Sequence, residues 1–148
     1  MPNFAEQVVK RLEDQGIKRI YGLVGDSLNP LSDAVRQSDI EWVHVRNEEA
    51  AAFAAGADSL AADELAVCGA SCGPGNTHFV QGLFESHRNG AKVLAIASHI
   101  PTAEIGSSFF QETHPELLFQ ECSSYCEVVH EADQGMRVLH NALQNTLA

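Results

Sequence analysis

Hydrophobic residues recur along the chain in two alternating patterns. Between Phe4 and Gly16 they stand three or four positions apart, which predicts an amphipathic helix that ends at the glycine. The next apolar run, from Arg19 to Val24, is continuous and stops at a cluster of turn residues, as expected of a buried strand. The alternation continues, with helices expected from Pro30, from Glu48 to about Leu60, across 80–90, near 117–119 and across 136–148, and strands at 40–45, 65–70, 93–97 and 125–129.

These elements predict an α/β fold. Continuous apolar strands separated by amphipathic helices are typical of a three-layer sandwich, in which helices cover both faces of a mostly parallel sheet. With 148 residues, the chain has the length of one domain, spanning 1–148. Ligands of such sheets bind beyond the carboxyl ends of the strands, so the informative loops are those at 25–27, 46–49, 71–76 and 99–111. The helix after 71–76 is expected to bury a face formed by Val80, Leu83, Phe84 and His87.

The composition argues against several classes of partner. The chain carries 20 acidic and 9 basic residues, and its net charge of −11 repels nucleic-acid phosphates and anionic lipid headgroups. Apolar runs such as Val93 to Ala97 are much shorter than the roughly 20 residues of a membrane span. Glu6 stands where a signal peptide would be positively charged. We therefore expect a cytoplasmic protein that binds no nucleic acid, has no membrane segment, and keeps its four cysteines as reduced thiols.

Glu48 is the first candidate functional residue. It falls in the first turn of its predicted helix, directly after the expected N-cap residue Asn47. The positions three, four and seven further on carry small apolar side chains, which form a stripe beside the carboxylate: Ala51, Ala52 and Ala55. Such a stripe lets another group pack closely against the carboxylate. The alternative is that Glu48, like its neighbour, only complements the helix dipole in solvent.

The segment Gly73-Pro74-Gly75-Asn76 is a second candidate, because it joins a predicted buried strand to a helix. Backbone amides at such a junction can face a ligand, and glycine permits its close approach. The segment lacks the Lys-Ser/Thr ending of a Walker loop, and the chain contains no GxGxxG, so phosphate binding is not supported. A ligand contact and a tight strand-to-helix turn both remain open.

Gly25-Asp26-Ser27-Leu28 spells the GDSL signature of a family of serine hydrolases. A nucleophilic serine needs a histidine base that is held by a carboxylate. The GDSL enzymes provide this pair as Asp-x-x-His near the C-terminus, and the present sequence contains no Asp-x-x-His. An esterase of this type is therefore a remote alternative.

The remaining residues with reactive side chains form no recognisable site. The seven histidines are scattered, without a His-Glu-x-x-His pair, and neither Cys-x-x-x-Cys pair has the spacing of a zinc motif. We expect no metal ligands among them. Phe109 and Phe110 stand in a loop, where they either line a pocket or cover the sheet.

Taken together, the loop sequences resemble a known family. The stretches 46–57, 71–78 and 110–112 are similar to the N-terminal pyrimidine-binding domain of thiamine diphosphate enzymes, and the resemblance covers nearly the whole chain. The stretches 25–29, 87–89 and 111–115 are also similar to pyruvate oxidase of the quinone-reducing type, also called pyruvate dehydrogenase (quinone). Acetolactate synthase is a more distant relative in this comparison.

The resemblance implies a role for each candidate residue. Glu48 would be the catalytic carboxylate, which bonds the pyrimidine ring nitrogen and thereby activates the cofactor for attack on the keto carbon of pyruvate. The cofactor-binding residues would be Gly25, Asp26, Ser27, Ser71, Pro74 and Asn76. Phe110 and Gln111 would border the substrate pocket. The family usually has a histidine where this chain has Asn47, which leaves the role of that histidine unfilled.

The resemblance also implies what lies outside this chain. The family's Gly-Asp-Gly and Asn-Asn motif, which ligates magnesium and the diphosphate, does not occur here, and neither does a flavin domain. We therefore expect Mg²⁺ and FAD only in a full-length enzyme, which would lie peripherally at a membrane and oxidise pyruvate to acetate and carbon dioxide. The pyrimidine domains would form a homodimer, and the diphosphate domain of a second subunit would complete the site. The isolated domain should be inactive. The uncapped C-terminal helix suggests a fragment, and a stand-alone pairing module is the alternative.

Overall fold

The structure is a computed structural model that describes residues 2–148. Its helices and strands alternate along the chain in the following order: α1 (Phe4–Asp14), β1 (Arg19–Gly22), α2 (Asn29–Arg36), β2 (Glu41–His44), α3 (Glu48–Ala62), β3 (Ala66–Ala70), α4 (Pro74–Arg88), β4 (Val93–Ala97), α5 (Pro115–Leu118) and α6 (Ala132–Leu147). Short 3₁₀-helices occupy Asp26–Leu28 and Thr102–Glu104. Among the helices of residues 2–148, none has the length and apolar character needed to cross a membrane.

The four strands form one parallel sheet in the order β2-β1-β3-β4. The register places Ile20 of β1 opposite Val67 of β3, and Cys68 of β3 opposite Ala95 of β4. Because the four strands run in the same direction, the loops that follow them all emerge at one edge of the sheet. The predicted α/β fold is confirmed.

Helices cover both faces of the sheet, and strand β3 shows the alternation directly. Val67 points into a core that contains residues of α1, α2 and α6. Its neighbours Ala66 and Cys68 point to the other face, into a core that contains residues of α3 and α4. Successive side chains of a strand point to opposite faces, so a strand that is buried on both sides must be apolar at every position. Every residue of β3 is buried.

Helices α3 and α4 pack very closely because small residues form their contact. A Cβ atom added at Gly82 of α4 would lie 2.5 Å from Cβ of Ala52 and 2.8 Å from the backbone nitrogen of Phe53. Gly56 of α3 faces Ser86 of α4 in the same way. This packing fixes the two helices relative to each other. Their N-termini both lie at the edge of the sheet where the loops emerge.

The predicted buried face of α4 is wrong for two of its four residues. Phe84 is 42% exposed and His87 is also exposed, whereas Phe79 is fully buried and Leu83 nearly so. The rest of the buried face consists of small or polar residues: Gly75, Asn76, Gly82 and Ser86. The prediction assumed that apolar residues mark the packed face, but the close approach of α3 admits only small side chains there.

The strand predicted at Tyr125–Val129 is also wrong. Residues 125–130 form no strand in the described chain, and β4 pairs only with β3. A strand needs a neighbouring strand for its backbone hydrogen bonds. Here Val128 accepts a hydrogen bond from the side chain of Gln134 at 3.0 Å instead. A cavity of about 720 Å³ is lined by both β4 and this segment, so the two do not close on each other.

Candidate functional site

The residues that follow the four strands bring polar side chains to one edge of the sheet. Ser27 follows β1, Glu48 follows β2, Ser71 follows β3 and Ser98 follows β4. In a parallel sheet this is the edge at which ligands bind.

The three serines form a chain of hydrogen bonds. Oγ of Ser27 lies 3.0 Å from Oγ of Ser71 and 2.7 Å from Oγ of Ser98. The backbone N–H of Cys72 donates to Oγ of Ser27 at 3.0 Å, and the hydroxyl of Ser98 donates to the carbonyl oxygen of Ala70 at 2.8 Å. One backbone group at the end of β3 and one just after it therefore anchor the three serines, which ties the ends of β1, β3 and β4 together.

Asn76 supports the same edge from the first turn of α4. Its side chain is fully buried, and its Nδ2 donates to the carbonyl oxygen of Ser98 at 2.8 Å. A carbonyl oxygen can only accept, so this bond also fixes the orientation of the amide. Oδ1 of Asn76 has no hydrogen-bond partner within residues 2–148. A buried acceptor without a protein partner is unusual.

Glu48 is buried at the N-terminus of α3, with 6% of its surface exposed. The side chain of Asn47 caps the helix by accepting the backbone N–H of Ala50 at 2.8 Å, as predicted. The three alanines of the predicted stripe are all completely buried: Ala51, Ala52 and Ala55. The carboxylate therefore does not extend into solvent. Burial of a carboxylate is unfavourable unless polar groups hydrogen-bond to it. The hydrogen-bond partners of the two Glu48 oxygens therefore indicate the chemistry of the site.

One oxygen of Glu48 has a partner and the other does not. Oε2 lies 3.1 Å from Nδ1 of His78 on α4. Oε1 makes no hydrogen bond within residues 2–148 and lies 2.9 Å from the position that a Cβ atom at Gly75 would take. Cβ of Ser71 lies 3.5 Å from the same position. We call this close junction of Gly75, Glu48 and Ser71 the glycine notch. Glu48 and Ser71 can approach the backbone there because residue 75 has no side chain.

A second glycine borders this notch from the loop after β1. A Cβ atom at Gly25 would lie 2.5 Å from Oγ of Ser71. Gly25 has φ −164°, an extended conformation open to any residue, so the close approach to Ser71 is what requires glycine here.

Of the other predicted site residues, one contacts the turn that follows β3 and three are exposed. We call residues 73–76 the glycine turn. Gln111 reaches this turn: its Nε2 donates to the carbonyl oxygen of Cys72 at 3.3 Å, and its backbone packs against Gly73. Pro74 begins α4 and is exposed at the same edge. Asp26 is exposed in the 3₁₀-helix after β1. Phe110 is 83% exposed, and its ring lies tilted by 38° against that of Phe109, with ring centroids 4.9 Å apart.

The geometry of Ser27 does not favour the hydrolase alternative. Its hydroxyl is engaged with Cys72, Ser71 and Ser98, and no histidine of residues 2–148 hydrogen-bonds to it. A serine nucleophile needs such a histidine.

Three of the four cysteine thiols serve packing rather than chemistry. Burial raises the pKa of Cys68, and it also raises the pKa of Cys122 and Cys126. All four cysteines are free. Raised thiol pKa values disfavour the nucleophilic thiolate, so these three side chains act as small apolar residues.

Sequence reasoning missed two residues of the site. His78 stands among the scattered histidines of the sequence, although it lies inside the motif that follows β3 and is the fifth residue of α4. Ser98 belongs to none of the sequence motifs. The available signal was its position, because it follows β4 directly, as Ser71 follows β3.

The fold and the site define a class: a parallel α/β domain with a buried glutamate and a glycine-rich turn at the carboxyl edge of its sheet, the edge at which such sheets bind ligands. Comparison with known proteins names the family. The family model described as "Thiamine pyrophosphate enzyme, N-terminal TPP binding domain" matches residues 2–120. The chain belongs to this family and is a TPP-binding N-terminal domain of thiamine pyrophosphate enzymes.

Individual relatives agree with this assignment. The chain is 57% identical over 141 residues to an uncharacterized 42.6 kDa protein of Pseudomonas amyloderamosa, a match that covers 95% of the chain and 36% of that protein. It is 31% identical over 143 residues to a pyruvate oxidase of Lactiplantibacillus plantarum, covering 95% of the chain and 24% of the relative. It is 30% identical over 140 residues to the large subunit of acetolactate synthase isozyme 2 of Escherichia coli, covering 95% and 26%. The chain thus spans about a quarter to a third of the length of these relatives.

Proposed function

We propose that this chain forms the pyrimidine-binding half of a thiamine diphosphate site in a pyruvate:quinone oxidoreductase, and that Glu48 is the catalytic carboxylate. One observation carries the proposal. The Glu48 carboxylate is buried, its Oε2 is held by His78, and its Oε1 faces the glycine notch without a hydrogen-bond partner in residues 2–148. A flat nitrogen heterocycle that shares a proton with Oε1 would complete this site.

The residues around the notch are suited to such a ring. Glycine at positions 25 and 75 lets Ser71 and Glu48 lie directly against the backbone, which brings a hydroxyl and a carboxylate to the same place. Asn76 brings a buried acceptor that lacks a partner. We assign cofactor contacts to these four residues and to Asp26, Ser27 and Pro74, which stand at the same edge of the sheet.

The chemical role of Glu48 follows from its surroundings. When bound, thiamine diphosphate supplies the carbon nucleophile and the electron sink for decarboxylation of a 2-keto acid. Glu48 would hold a proton between Oε1 and the pyrimidine ring nitrogen. The three alanines on the same face of α3 are completely buried, and a hydrogen bond is electrostatically stronger in such apolar surroundings than in water. A glutamine at the same place would fill the volume but could not exchange the proton.

For the substrate we propose pyruvate, oxidised to acetate and carbon dioxide, because the chain is similar to a pyruvate oxidase over 95% of its length. Gln111 would border the substrate from the glycine turn, and Phe110 would cover it from the exposed loop. An acetolactate synthase reaction is a second candidate, since the chain is also similar to such enzymes. Product analysis distinguishes the two, because one reaction yields acetate and the other yields acetolactate.

We further propose that other parts of the enzyme supply the remaining groups. Mg²⁺ and the diphosphate would be held by the diphosphate-binding domain of a second subunit, and FAD by a domain outside this chain.

Phe53 and Leu60 on the outer side of α3 are 37% and 52% exposed, and they suit a homodimer through this domain. Replacing both by aspartate should convert a dimer into monomers in analytical ultracentrifugation. We propose a cytoplasmic location, with peripheral membrane contact in the full enzyme.

The central test compares two neighbouring glutamates. Glu48→Gln and Glu49→Gln remove the same charge from the same helical turn, but only Glu48 lies at the notch. In the protein as its gene encodes it, with thiamine diphosphate, Mg²⁺, FAD and pyruvate, we expect Glu48→Gln to lower dye reduction by about 100-fold or more. Glu49→Gln should stay within about twofold of wild type. Equal effects of the two substitutions would refute the assignment of Glu48.

A further inference from the structure

The loop of residues 101–112 carries Phe110 and Gln111, the two residues proposed to border the substrate. Residues 101–108 of this loop are all exposed. No hydrogen bond within residues 2–148 connects residues 102–110 with another part of the chain. Gln111 makes the hydrogen bond to the loop after β3, through the carbonyl oxygen of Cys72. The hydrogen bonds that shape residues 102–110 are therefore internal to the loop.

The tip of this loop has a backbone conformation that its sequence does not favour. Gly106 has φ +85° and Ser108 has φ +62°, so both lie in the left-handed region. Glycine enters this region freely, whereas a serine rarely adopts it. A contact with another residue is needed to hold Ser108 there.

Glu112 supplies this contact with both oxygens of its carboxylate. Oε1 accepts the backbone N–H of Gly106 at 2.6 Å, and Oε2 accepts the backbone N–H of Ser108 at 3.1 Å. The backbone N–H of Glu112 donates to the carbonyl oxygen of Phe109 at 2.8 Å. Hydrogen bonds to a carboxylate are stronger than those between neutral groups. Phe109 is thus enclosed between two bonds to Glu112, and its ring contacts that of Phe110.

We propose that Glu112 is a positioning residue, which fixes the 101–112 loop in one conformation and thereby sets the place of Phe110 beside the substrate. This inference rests on the proposed function and adds a residue to it. A loop that is already ordered spares the substrate the entropic cost of ordering it. Without the carboxylate, binding of the substrate would have to order the loop first.

The first test follows hydrogen–deuterium exchange by mass spectrometry, in the protein as its gene encodes it and without cofactor or substrate. Peptides that cover residues 102–110 should exchange about tenfold faster in Glu112→Ala than in wild type. Glu104→Ala is the matched control. It removes the same charge from the same loop, but the Glu104 carboxylate accepts the hydroxyl of Ser107, at 3.3 Å, rather than a backbone N–H. Its exchange should stay within about twofold of wild type.

Glu112→Gln provides a second variant that keeps the length of the side chain. Its amide retains one acceptor oxygen, but its NH₂ group would oppose the other backbone N–H. Exchange of residues 102–110 should therefore lie between that of wild type and that of Glu112→Ala.

The second test measures steady-state kinetics with thiamine diphosphate, Mg²⁺, FAD and pyruvate. Glu112→Ala should raise the KM for pyruvate about tenfold and leave kcat within about threefold, because the loop contributes to binding. Phe110→Ala should raise KM similarly. Since Glu112 acts through Phe110, adding Glu112→Ala to Phe110→Ala should change KM by no more than about twofold. A merely structural role would lower kcat at constant KM, through loss of folded enzyme.

The outcomes separate this inference from the proposed function. Equal exchange of residues 102–110 in wild type and Glu112→Ala would overturn the inference. A KM effect of Glu112→Ala that persists in full beside Phe110→Ala would also overturn it. Neither result touches the role of Glu48, which the comparison of Glu48→Gln with Glu49→Gln decides. A wild-type protein that consumes no pyruvate would overturn the proposed substrate, and the role of Glu112 in binding it.

Discussion

The contact between α3 and α4 allows a prediction in which the sign of one substitution depends on a second residue. A Cβ atom at Gly56 would overlap Oγ of Ser86, whereas Cβ of Ser86 would remain at 3.4 Å, an ordinary van der Waals distance. The overlap therefore involves one hydroxyl oxygen only. At Gly82 the obstacle is different, because a Cβ atom there would lie 2.8 Å from the backbone nitrogen of Phe53 and 3.0 Å from the carbonyl carbon of Ala52.

The expected energies follow from these contacts. Alanine in place of glycine within a helix stabilises by roughly 0.5–1 kcal/mol. Overpacking of a tight contact costs about 1–3 kcal/mol. Gly56→Ala alone should therefore destabilise by about 1 kcal/mol. In a Ser86→Ala background the overlap is absent, and Gly56→Ala should stabilise by about 0.5–1 kcal/mol.

Gly82→Ala serves as the contrasting case. Ala52→Gly removes one of its contacts, but the two backbone contacts remain. No side-chain substitution can relieve them, so the destabilisation of about 1–3 kcal/mol should persist in the double variant. Because α3 and α4 carry Glu48 and Gly75, Gly82→Ala should also weaken binding of thiamine diphosphate, whereas Gly56→Ala with Ser86→Ala should not.

Urea unfolding of all the variants measures these effects, and thermal unfolding provides a check at about 2–4 °C per kcal/mol for a chain of this size. The reasoning would be refuted if Gly56→Ala remained destabilising in the Ser86→Ala background, or if Ala52→Gly rescued Gly82→Ala.

Three further substitutions or conditions test other parts of the structure. Phe79 is completely buried, so Phe79→Ala should destabilise by about 3–5 kcal/mol in urea unfolding. Asn47→Ala removes the N-cap of α3 and should cost about 0.5–2 kcal/mol, with Asn47→Asp close to wild type. A hydrogen bond from Lys92 lowers the pKa of Asp63. Its stabilising contribution is present above the ordinary pKa of an aspartate and is lost as the pH falls through the lowered value, so the stability difference between wild type and Lys92→Ala should vanish in strong acid.

The order and type of most elements could be predicted from the sequence alone. Helix periodicity, continuous apolar strands and the cap at Asn47 depend on residues within a few positions of one another, and the structure confirms them. The stripe of alanines beside Glu48 is local in the same sense, because residues three and four apart share one face of a helix. Because these local patterns mark where each strand ends, the sequence alone identifies the loops that carry the candidate site.

Only the tertiary structure decided which of these residues meet. Ser27 and Ser98 are 71 positions apart, and they bond because β1 and β4 flank β3 in the sheet, an order that no local pattern contains. His78 reaches Glu48 only because glycine and alanine contacts let α4 approach α3 closely. The segment at 125–129 has the composition of a strand, but no neighbouring strand pairs with it. Local geometry is encoded within a few residues, whereas each hydrogen-bond partner depends on which segments the completed sheet places side by side.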